Sequence, residues 1–483
     1  MGSEPLNTNN LYLAIDQGGH SSRAIVFNTF GEQIAFARHL VDEQKTGMDR
    51  VEQDPELLLD SIIESVKSVI EQLGERARHI VAAGLATQRS SMVCWHKQTG
   101  EALYPVISWQ DRRAANYLEK LQDRAEMIHK KTGLFLSPHF GASKMRWCLD
   151  EVPAVADANK QGQLIMGPLA SFLIFRLLDE KPVLADPANA SRTQLWNLVD
   201  KNWDPELLDI FGIPESCLPV CVNTRHAFGT LTVNDLRIPM TIVNGDQSAA
   251  LFSYGSLQAD NAYIIIGTGA FVSRTSGHYA PYGRRLLTGI VMQEQDKSTY
   301  VLEGTVNGAG SALDWIKSEL ELENFTDKLP DWLAASNDPP IFLNGISGLG
   351  APYWIADLDS KFIGAGTDEE KVVAVIESII FLLETNLREM LSLASPPLQI
   401  QISGGFSKLD GLCQRLSDLS GLPVYRPVEK EATARGTAFL LVDEKHHWPE
   451  GEIGVWFKPK NNEAIIKRYK KWESCLLAEI RKE

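Results

Sequence analysis

Two stretches some 250 residues apart follow the same pattern, and this constrains the fold more than any other feature of the chain. Residues 11–18, LYLAIDQG, form an apolar run ending in glycine, followed directly by SSRAIVFN. Residues 261–268, NAYIIIGT, do the same and are followed by AFVSRTS. Each reads as a buried strand, a tight glycine turn and a second strand. In the first half a third strand, QIAFARHL, makes two hairpins in series. A helix from about Asp54 to Leu73 comes next, with Leu58, Ile62, Val66, Val69 and Leu73 at helical spacing behind an Asp-Pro start. HIVAAGLAT then reads as a further strand. The second half offers helices near 310–320 and 368–393, then the strand LQIQIS. Hairpins joined to crossover helices and parallel strands predict an α/β fold of duplicated mixed sheets. We expect two domains, 1–255 and 256–483, with ligand bound in the cleft between them.

The length of 483 residues exceeds what one core usually supports, in agreement with two domains. With 47 basic and 62 acidic side chains the formal charge is −15, a field that repels nucleic acid. The six cysteines show no paired CxxC spacing and are expected to be free thiols in a reducing compartment. The N-terminus MGSEPLNTNN has no apolar signal core, and the run Leu169–Leu178 is too short and too polar to span a bilayer. A soluble, cytoplasmic protein is therefore expected, without a membrane partner. On that expectation the glycosylation-like sites at Asn189 and Asn324 are chance matches.

The chain has no P-loop, no GxGxxG between strand and helix, no HExxH and no GxSxG. Phosphate binding would have to use other glycine turns, and three are present. In the first, Gly18 and Gly19 precede His20, Ser21 and Arg23. These glycines can turn with positive φ and point amides at an anion, while Arg23 offers a multidentate phosphate contact. Asp16, at the preceding strand end, could accept a hydrated Mg2+ ion. The second turn is Gly267-Thr268-Gly269. The third is Gly404-Gly405, ahead of a helix expected from about Lys408. Asp246 stands where the strand MTIVNG meets a helix. Alone, an aspartate there is an N-cap. Opposite a phosphate-binding hairpin it could instead take the proton of an attacking hydroxyl, where position counts for more than a raised pKa.

Taken together, LAIDQG..SSRAIVF, VEQDP, ATQR, SWQDRR, FGASKMRWCLDE, GDQSAAL, IGTGAF, LEGTVNGAGSALDW, GLGAPYW, SGGF and RPVEKEATARGTA run in an order and spacing that resembles the FGGY carbohydrate kinases. The glycerol kinase branch is the most similar. The likeness covers about Leu11 to beyond Phe439. It implies a two-domain actin-like (ribonuclease H-like) ATPase fold that closes over ATP, Mg2+ and a small polyol or sugar. Asp246 would be the general base, and Asp16 and Asp246 the metal-side carboxylates. ATP would lie among Gly18, Gly19, His20, Ser21, Arg23, Gly267, Thr268, Gly269, Gly310, Ser311, Gly404 and Gly405. The acceptor would meet Gln88, Arg89, Ser90, Trp109, His139, Gln247 and Phe271. A homo-oligomer would suit the family.

Three departures carry information. Glycerol kinases have Gln-Arg-Glu where this chain has Gln88-Arg89-Ser90, and Tyr-Phe where it has His139-Phe140. Losing a carboxylate and a phenol together removes two polar partners and widens the pocket, so the expected acceptor is a larger polyol or a ketose. The phosphate turn DQGTTSSR is DQGGHSSR here, and the His20 imidazolium could help hold ATP. The alternatives are glycerol phosphorylation proper and, in another class, a catalytically weak ligand sensor or nucleotide-operated actin-like protein. Read without the resemblance, Trp109 would be a core tryptophan, and Arg112 and Arg113 helix-start charges.

Overall fold

A computed structural model of the chain describes residues 9–482 apart from 48, 324, 337, 429–430, 443–447 and 449–453; Asn324 and the first eight residues, discussed above, lie outside the described set. The first sheet comprises β1 (Leu11–Gln17), β2 (Ser21–Asn28), β3 (Gln33–Leu40), β4 (Ile80–Thr87), β5 (Arg225–Val233) and β6 (Leu236–Gly245). Its order is β5-β6-β4-β1-β2-β3. The second comprises β7 (Asn261–Ile266), β8 (Ala270–Gly277), β9 (Leu287–Glu294), β10 (Lys297–Val306), β11 (Gln399–Ser403), β12 (Val424–Pro427) and β13 (Gly454–Phe457). Its order is β9-β10-β8-β7-β11-β12-β13. In both sheets the central strand has an antiparallel hairpin partner on one side and a parallel crossover strand on the other. The duplication and the mixed sheets expected from the sequence are both present.

β1 is buried along its whole length because it is covered on both faces, as an internal strand with parallel pairing should be. α1 (Pro55–Leu73) lays Leu58, Ile62 and Val66 against Leu13 and Ile15. Asp54 caps it, its side chain accepting from the amides of Glu56 and Leu57. On the opposite face Tyr12 and Ala14 meet Ala434, Ala438 and Leu441.

Six further helices matter for the site: α2 (Gly141–Glu151), α3 (Asp246–Ala250), α4 (Gly310–Glu319), α5 (Asp368–Met390), α6 (Asp410–Ser420) and α7 (Ala432–Leu441). α5 starts with a Thr367/Glu370 capping box and, with α4, forms the core behind β7. α7 comes from the second half of the sequence but packs on the first sheet and on α3. A Cβ on Gly436 would sit 1.8 Å from the Ala249 carbonyl oxygen, so the two helices touch backbone to backbone. No helix among the described residues is long and apolar enough to cross a membrane.

Candidate active site

β1, β4 and β6 run parallel and end in register: Gln17 lies beside Thr87, and Thr87 beside Gly245. The residues that follow are the Gly18 turn, the Gln88–Ser90 segment and Asp246. Sheet registry alone therefore brings three segments distant in sequence to one carboxyl edge, where open α/β sheets bind ligands.

Asp16 is buried, and its Oδ2 accepts from Arg23 Nη1 at 2.8 Å. Burial raises its pKa to about 6, opposed by Arg23 and reinforced by the charge of Asp246. Asp246 is the first residue of α3 behind Gly245, and its Oδ1 accepts from the Gln247 amide at 2.7 Å. Burial lifts its carboxyl too, while the positive fields of Arg89 and Arg192 act in the other direction. Two carboxyls of raised pKa thus stand at one edge of the sheet, close enough for the charge of Asp246 to act on Asp16.

Gly18 and Gly19 differ from expectation, since neither has positive φ. The turn closes through the Gly18 amide donating to the Ser21 carbonyl at 3.0 Å, and a Cβ on Gly18 would meet nothing nearer than 3.5 Å. The turn therefore does not depend on left-handed backbone geometry. His20 stands in solvent, its side chain 73% exposed and 3.8 Å from Glu43, while Ser21 is buried. Arg23 is engaged by Asp16 and, at 3.4 Å, by Glu431.

The second sheet supplies a matching cradle. The Gly310 and Ser311 amides at the start of α4 donate to the Gly267 and Thr268 carbonyls, each at 3.0 Å. A Cβ on Gly310 would clash at 2.6 Å with Gly267 O and the Phe406 ring. Gly404 has φ +94, and its Cβ would lie 2.3 Å from Ile266 O, whereas Gly405 is open. The Gly267–Gly269, Gly310–Ser311 and Gly404–Gly405 segments therefore meet in one place. The helix expected from Lys408 begins instead at Asp410, after a 3-10 turn over Gly405–Lys408.

The residues expected to meet an acceptor divide. Arg89 Nη2 donates to Gln247 Oε1, and a Cβ on Gly245 would strike the Arg89 stem at 2.6 Å, so Gly245 keeps that path clear. Burial lowers the Arg89 pKa to about 10. Ser90 is buried with φ 64, and its hydroxyl has no partner among the described residues. Trp109 is 36% exposed, so it is not a core tryptophan. Its ring meets His139 edge-on with centroids 5.6 Å apart. Burial, then the neighbouring cations beginning with Lys144, hold His139 well below its ordinary value and keep it neutral. Phe271 pairs with Thr305 on β10, so it shares a sheet face with Glu303.

Gln88 departs from its expected place. It is only 2% exposed; its carboxamide donates to Gln53 Oε1 at 2.7 Å, and Gln53 donates to Gly19 O at 2.7 Å. That places it beneath the Gly18-Gly19 turn, supporting it. Arg113 also departs from its reading as a helix-start charge. It is buried between Asp111 and Glu52, 2.7 Å from each, and lies over the Trp147 ring.

Three residues were missed by sequence reasoning. Glu303 of β10 accepts from Arg89 Nη1 at 3.1 Å and from Arg192 Nη2, and all three side chains are nearly inaccessible. Lys144 of α2 is fully buried and donates to the carbonyls of Ser90 (3.1 Å), Ser108 (2.8 Å) and His139 (2.8 Å). The available signals were a lone charge inside the apolar strand TYVLEG and a lysine on the buried face of α2.

The model of the N-terminal domain of the FGGY family of carbohydrate kinases matches residues 11–253, and that of its C-terminal domain residues 262–442. A glycerol kinase of Coxiella burnetii is 34% identical over 89% of this chain and 88% of its own. One of Halothermothrix orenii is 34% identical over 97% and 98%. Among solved structures, Plasmodium falciparum glycerol kinase superposes with TM-score 0.89 at 24% identity, covering 97% of this chain and 98% of its own. A xylulose kinase from Lactobacillus acidophilus gives 0.83 at 22% identity, covering 97% and 98%. Both family domains match in order, and relatives align along nearly the whole length: the chain belongs to the FGGY family of carbohydrate kinases.

Proposed function

We propose that this ATP-dependent carbohydrate kinase phosphorylates a hydroxyl of a polyol larger than glycerol, or of a ketose, with Asp246 as general base. The observation that carries the reading is the position of Asp246: it stands at the strand end beside Gln247, which Arg89 holds, and its charge acts on Asp16. Its carboxyl is lifted toward the range where it can accept a proton as the hydroxyl attacks, and the loose transition state asks for little more than that position.

At the two positions where glycerol kinases carry a glutamate and a tyrosine, this chain has Ser90 and His139. The Ser90 hydroxyl is buried without a partner among the described residues, and His139 is an uncharged ring. Both suit further hydroxyls on a longer chain. Arg89 and Gln247 would orient the substrate, and the Trp109 and Phe271 rings would flank its carbon skeleton.

Asp16 and Asp246 fit a Mg2+ ion that keeps most of its waters. No group of three metal-binding side chains exists among the described residues, but magnesium beside a nucleotide needs only one or two carboxylates. Two crowded carboxyls, one with an oxygen outside its arginine pair, are what such an ion would relieve. Mg2+ supplies charge neutralisation at the phosphates when bound. The Gly18–Ser21 turn and the Gly267–Gly269 turn would face those phosphates with backbone amides, and Gly310, Ser311, Gly404 and Gly405 would border the nucleoside. We place the division between the two lobes at about residue 255.

The test is ADP release from Mg-ATP against a panel of polyols and ketoses that includes glycerol. Strong turnover on one larger acceptor with little on glycerol is the expected result. Efficient turnover on glycerol, the substrate named for the 34%-identical relatives, would keep the class and overturn the acceptor reading.

A further inference from the structure

Four hydrogen bonds join Trp109 to the Gly18–Ser21 turn, and all of them point the same way. The Trp109 amide donates to Ser91 Oγ at 3.0 Å, and Ser91 Oγ donates to Gln88 Oε1 at 3.2 Å. Gln88 Nε2 donates to Gln53 Oε1 at 2.7 Å, and Gln53 Nε2 to the Gly19 carbonyl at 2.7 Å. The three side chains between the ends are at most 2% exposed. The ends fix the direction of every link. A carbonyl oxygen only accepts, so Gln53 must turn its nitrogen to Gly19 and its oxygen to Gln88. Gln88 must then donate to Gln53 and offer its own oxygen to Ser91. The Ser91 hydroxyl donates there and accepts from the Trp109 N–H, which only donates. Flipping either glutamine would set oxygen against oxygen. Bonds aligned head to tail in this way polarise and strengthen one another away from water.

Gly19 belongs to the turn read above as facing the phosphates, and Trp109 to the segment read as flanking the acceptor. Gln53 stands directly before Asp54, the cap of α1, so the helix start holds its backbone in place. Gln110, the neighbour of Trp109, is tied back as well: its Nε2 donates to Glu43 Oε1 at 2.7 Å, and Glu43 Oε2 lies 3.8 Å from His20 Nδ1. That second tie ends beyond hydrogen-bond reach, on a side chain that is 73% exposed. The chain through Gln53 ends instead in a hydrogen bond to the backbone of the turn.

We propose that Gln53 and Ser91 are positioning residues: with Gln88 they pass occupancy of the turn on to the Trp109 segment, so that nucleotide binding stiffens the acceptor side before an acceptor arrives. A phosphate held by the peptide N–H between Gly19 and His20 makes the carbonyl of that same peptide, Gly19 O, a stronger acceptor. Each link of the chain then tightens in turn. By linkage, an acceptor that orders Trp109 raises the affinity for the nucleotide by the same factor. The proposal rests on the reading that the turn meets the phosphates and Trp109 the acceptor, and the experiment separates failure of that reading from failure of the relay.

Hydrogen exchange of the intact chain is followed by mass spectrometry with and without magnesium and the β,γ-imido analogue of ATP, no acceptor being present. Peptides over 17–23 report the turn, and peptides over 106–113 include the Trp109 amide. Both should slow in the unaltered chain, the second by about threefold. Gln53→Met keeps the length and removes two links; it should leave the turn protected by the analogue but abolish the slowing over 106–113. Should Gln53→Met not fold, Gln53→Asn, too short to reach Gly19 and Gln88 together, takes its place. Glu43→Gln, which alters only the second tie, should keep the slowing. An analogue that fails to bind, or binds without protecting the turn, removes the reading of the turn and this proposal with it. A protected turn with no slowing over 106–113, slowing that survives the loss of Gln53, or an equal loss in Glu43→Gln overturns the relay and leaves the reading of the turn standing.

Discussion

Arg89 and Glu303 lie 214 residues apart in sequence and meet at 3.1 Å, joining the strand-end segment of the first sheet to β10 of the second. Arg192 takes the other carboxylate oxygen, so one buried anion serves two buried cations. Removing Glu303 would leave both arginines uncompensated in a desolvated place, a change that typically costs about 3–5 kcal/mol. Glu303→Ala is therefore expected to lower the melting temperature by several degrees and to raise the acceptor KM, since Arg89 would no longer be held against Gln247. A melt and a KM equal to those of the unaltered chain would show that the cross-lobe triad does not organise the pocket.

Asp246→Asn keeps the size and the backbone hydrogen bond of α3 but cannot accept the hydroxyl proton. The expected loss in acceptor-dependent ADP release is about 10²- to 10⁴-fold, the usual span for a general base. ADP binding by calorimetry should stay within twofold. An unchanged turnover rate would remove Asp246 from the mechanism.

The pH dependence follows from Asp16. Its folded pKa, about 6, is above the ordinary 3.8, so between those values the native state holds a proton that the unfolded chain has already lost. The resulting stability is fully present below about pH 3.8 and disappears as pH rises through 6. At neutral pH the ionised carboxylate is a liability of up to about 3 kcal/mol. Asp16→Asn, which still accepts from Arg23, should thus melt higher than the unaltered chain at pH 7.5, with the gap closing near pH 4. Mg-ATP should in turn stabilise the unaltered chain more at pH 7.5 than at pH 5. Equal melting of the two proteins at both pH values would contradict the raised carboxyl.

Much of this architecture could be read from the chain because it is local or repeated. The strand–glycine–strand units, the Asp54-capped helix and the Asp246 helix start each depend on neighbours within a turn or two. The errors have physical causes. Gly18 and Gly19 were expected to turn left-handed, but the hairpin closes without positive φ, and a Cβ on either would meet nothing nearer than 3.3 Å. Arg113 sits in a polar stretch that resembles a helix start, yet Asp111 and Glu52 bury it. Glu303 and Arg192 acquire their roles from partners 111 and 214 residues apart, and Lys144 chiefly from carbonyls 36 and 54 residues away, which no periodicity reveals.

Gly436 tests whether α7 positions the base. A Cβ there would lie 1.8 Å from Ala249 O on the Asp246 helix, so the two backbones must separate to accept it. Gly436→Ala should lower kcat by roughly 10²-fold, the loss expected when a reacting group moves by about 1 Å. The KM for ATP should change less than kcat. A kcat within a factor of two of the unaltered enzyme would mean that α3 holds its place without α7.

Lys144 gives the sharpest separation of positioning from folding. Its three hydrogens are directed at the carbonyls of Ser90, Ser108 and His139, so one ammonium sets the spacing of three segments that carry residues proposed to meet the acceptor. Burial, the largest influence, pushes its pKa far below the ordinary lysine range. It works as a hydrogen-bond hub, three donors answering three carbonyls. Lys144→Met keeps the length and removes the donors, at about 1–3 kcal/mol for each buried acceptor left unpaired. The chain should melt lower for that reason alone. The informative readout is the division of kinetic effects: the acceptor KM should rise tenfold or more while the KM for ATP, set by the glycine turns of the other segments, stays within twofold. If both constants rise together, Lys144 acts on the fold as a whole and not on the acceptor pocket.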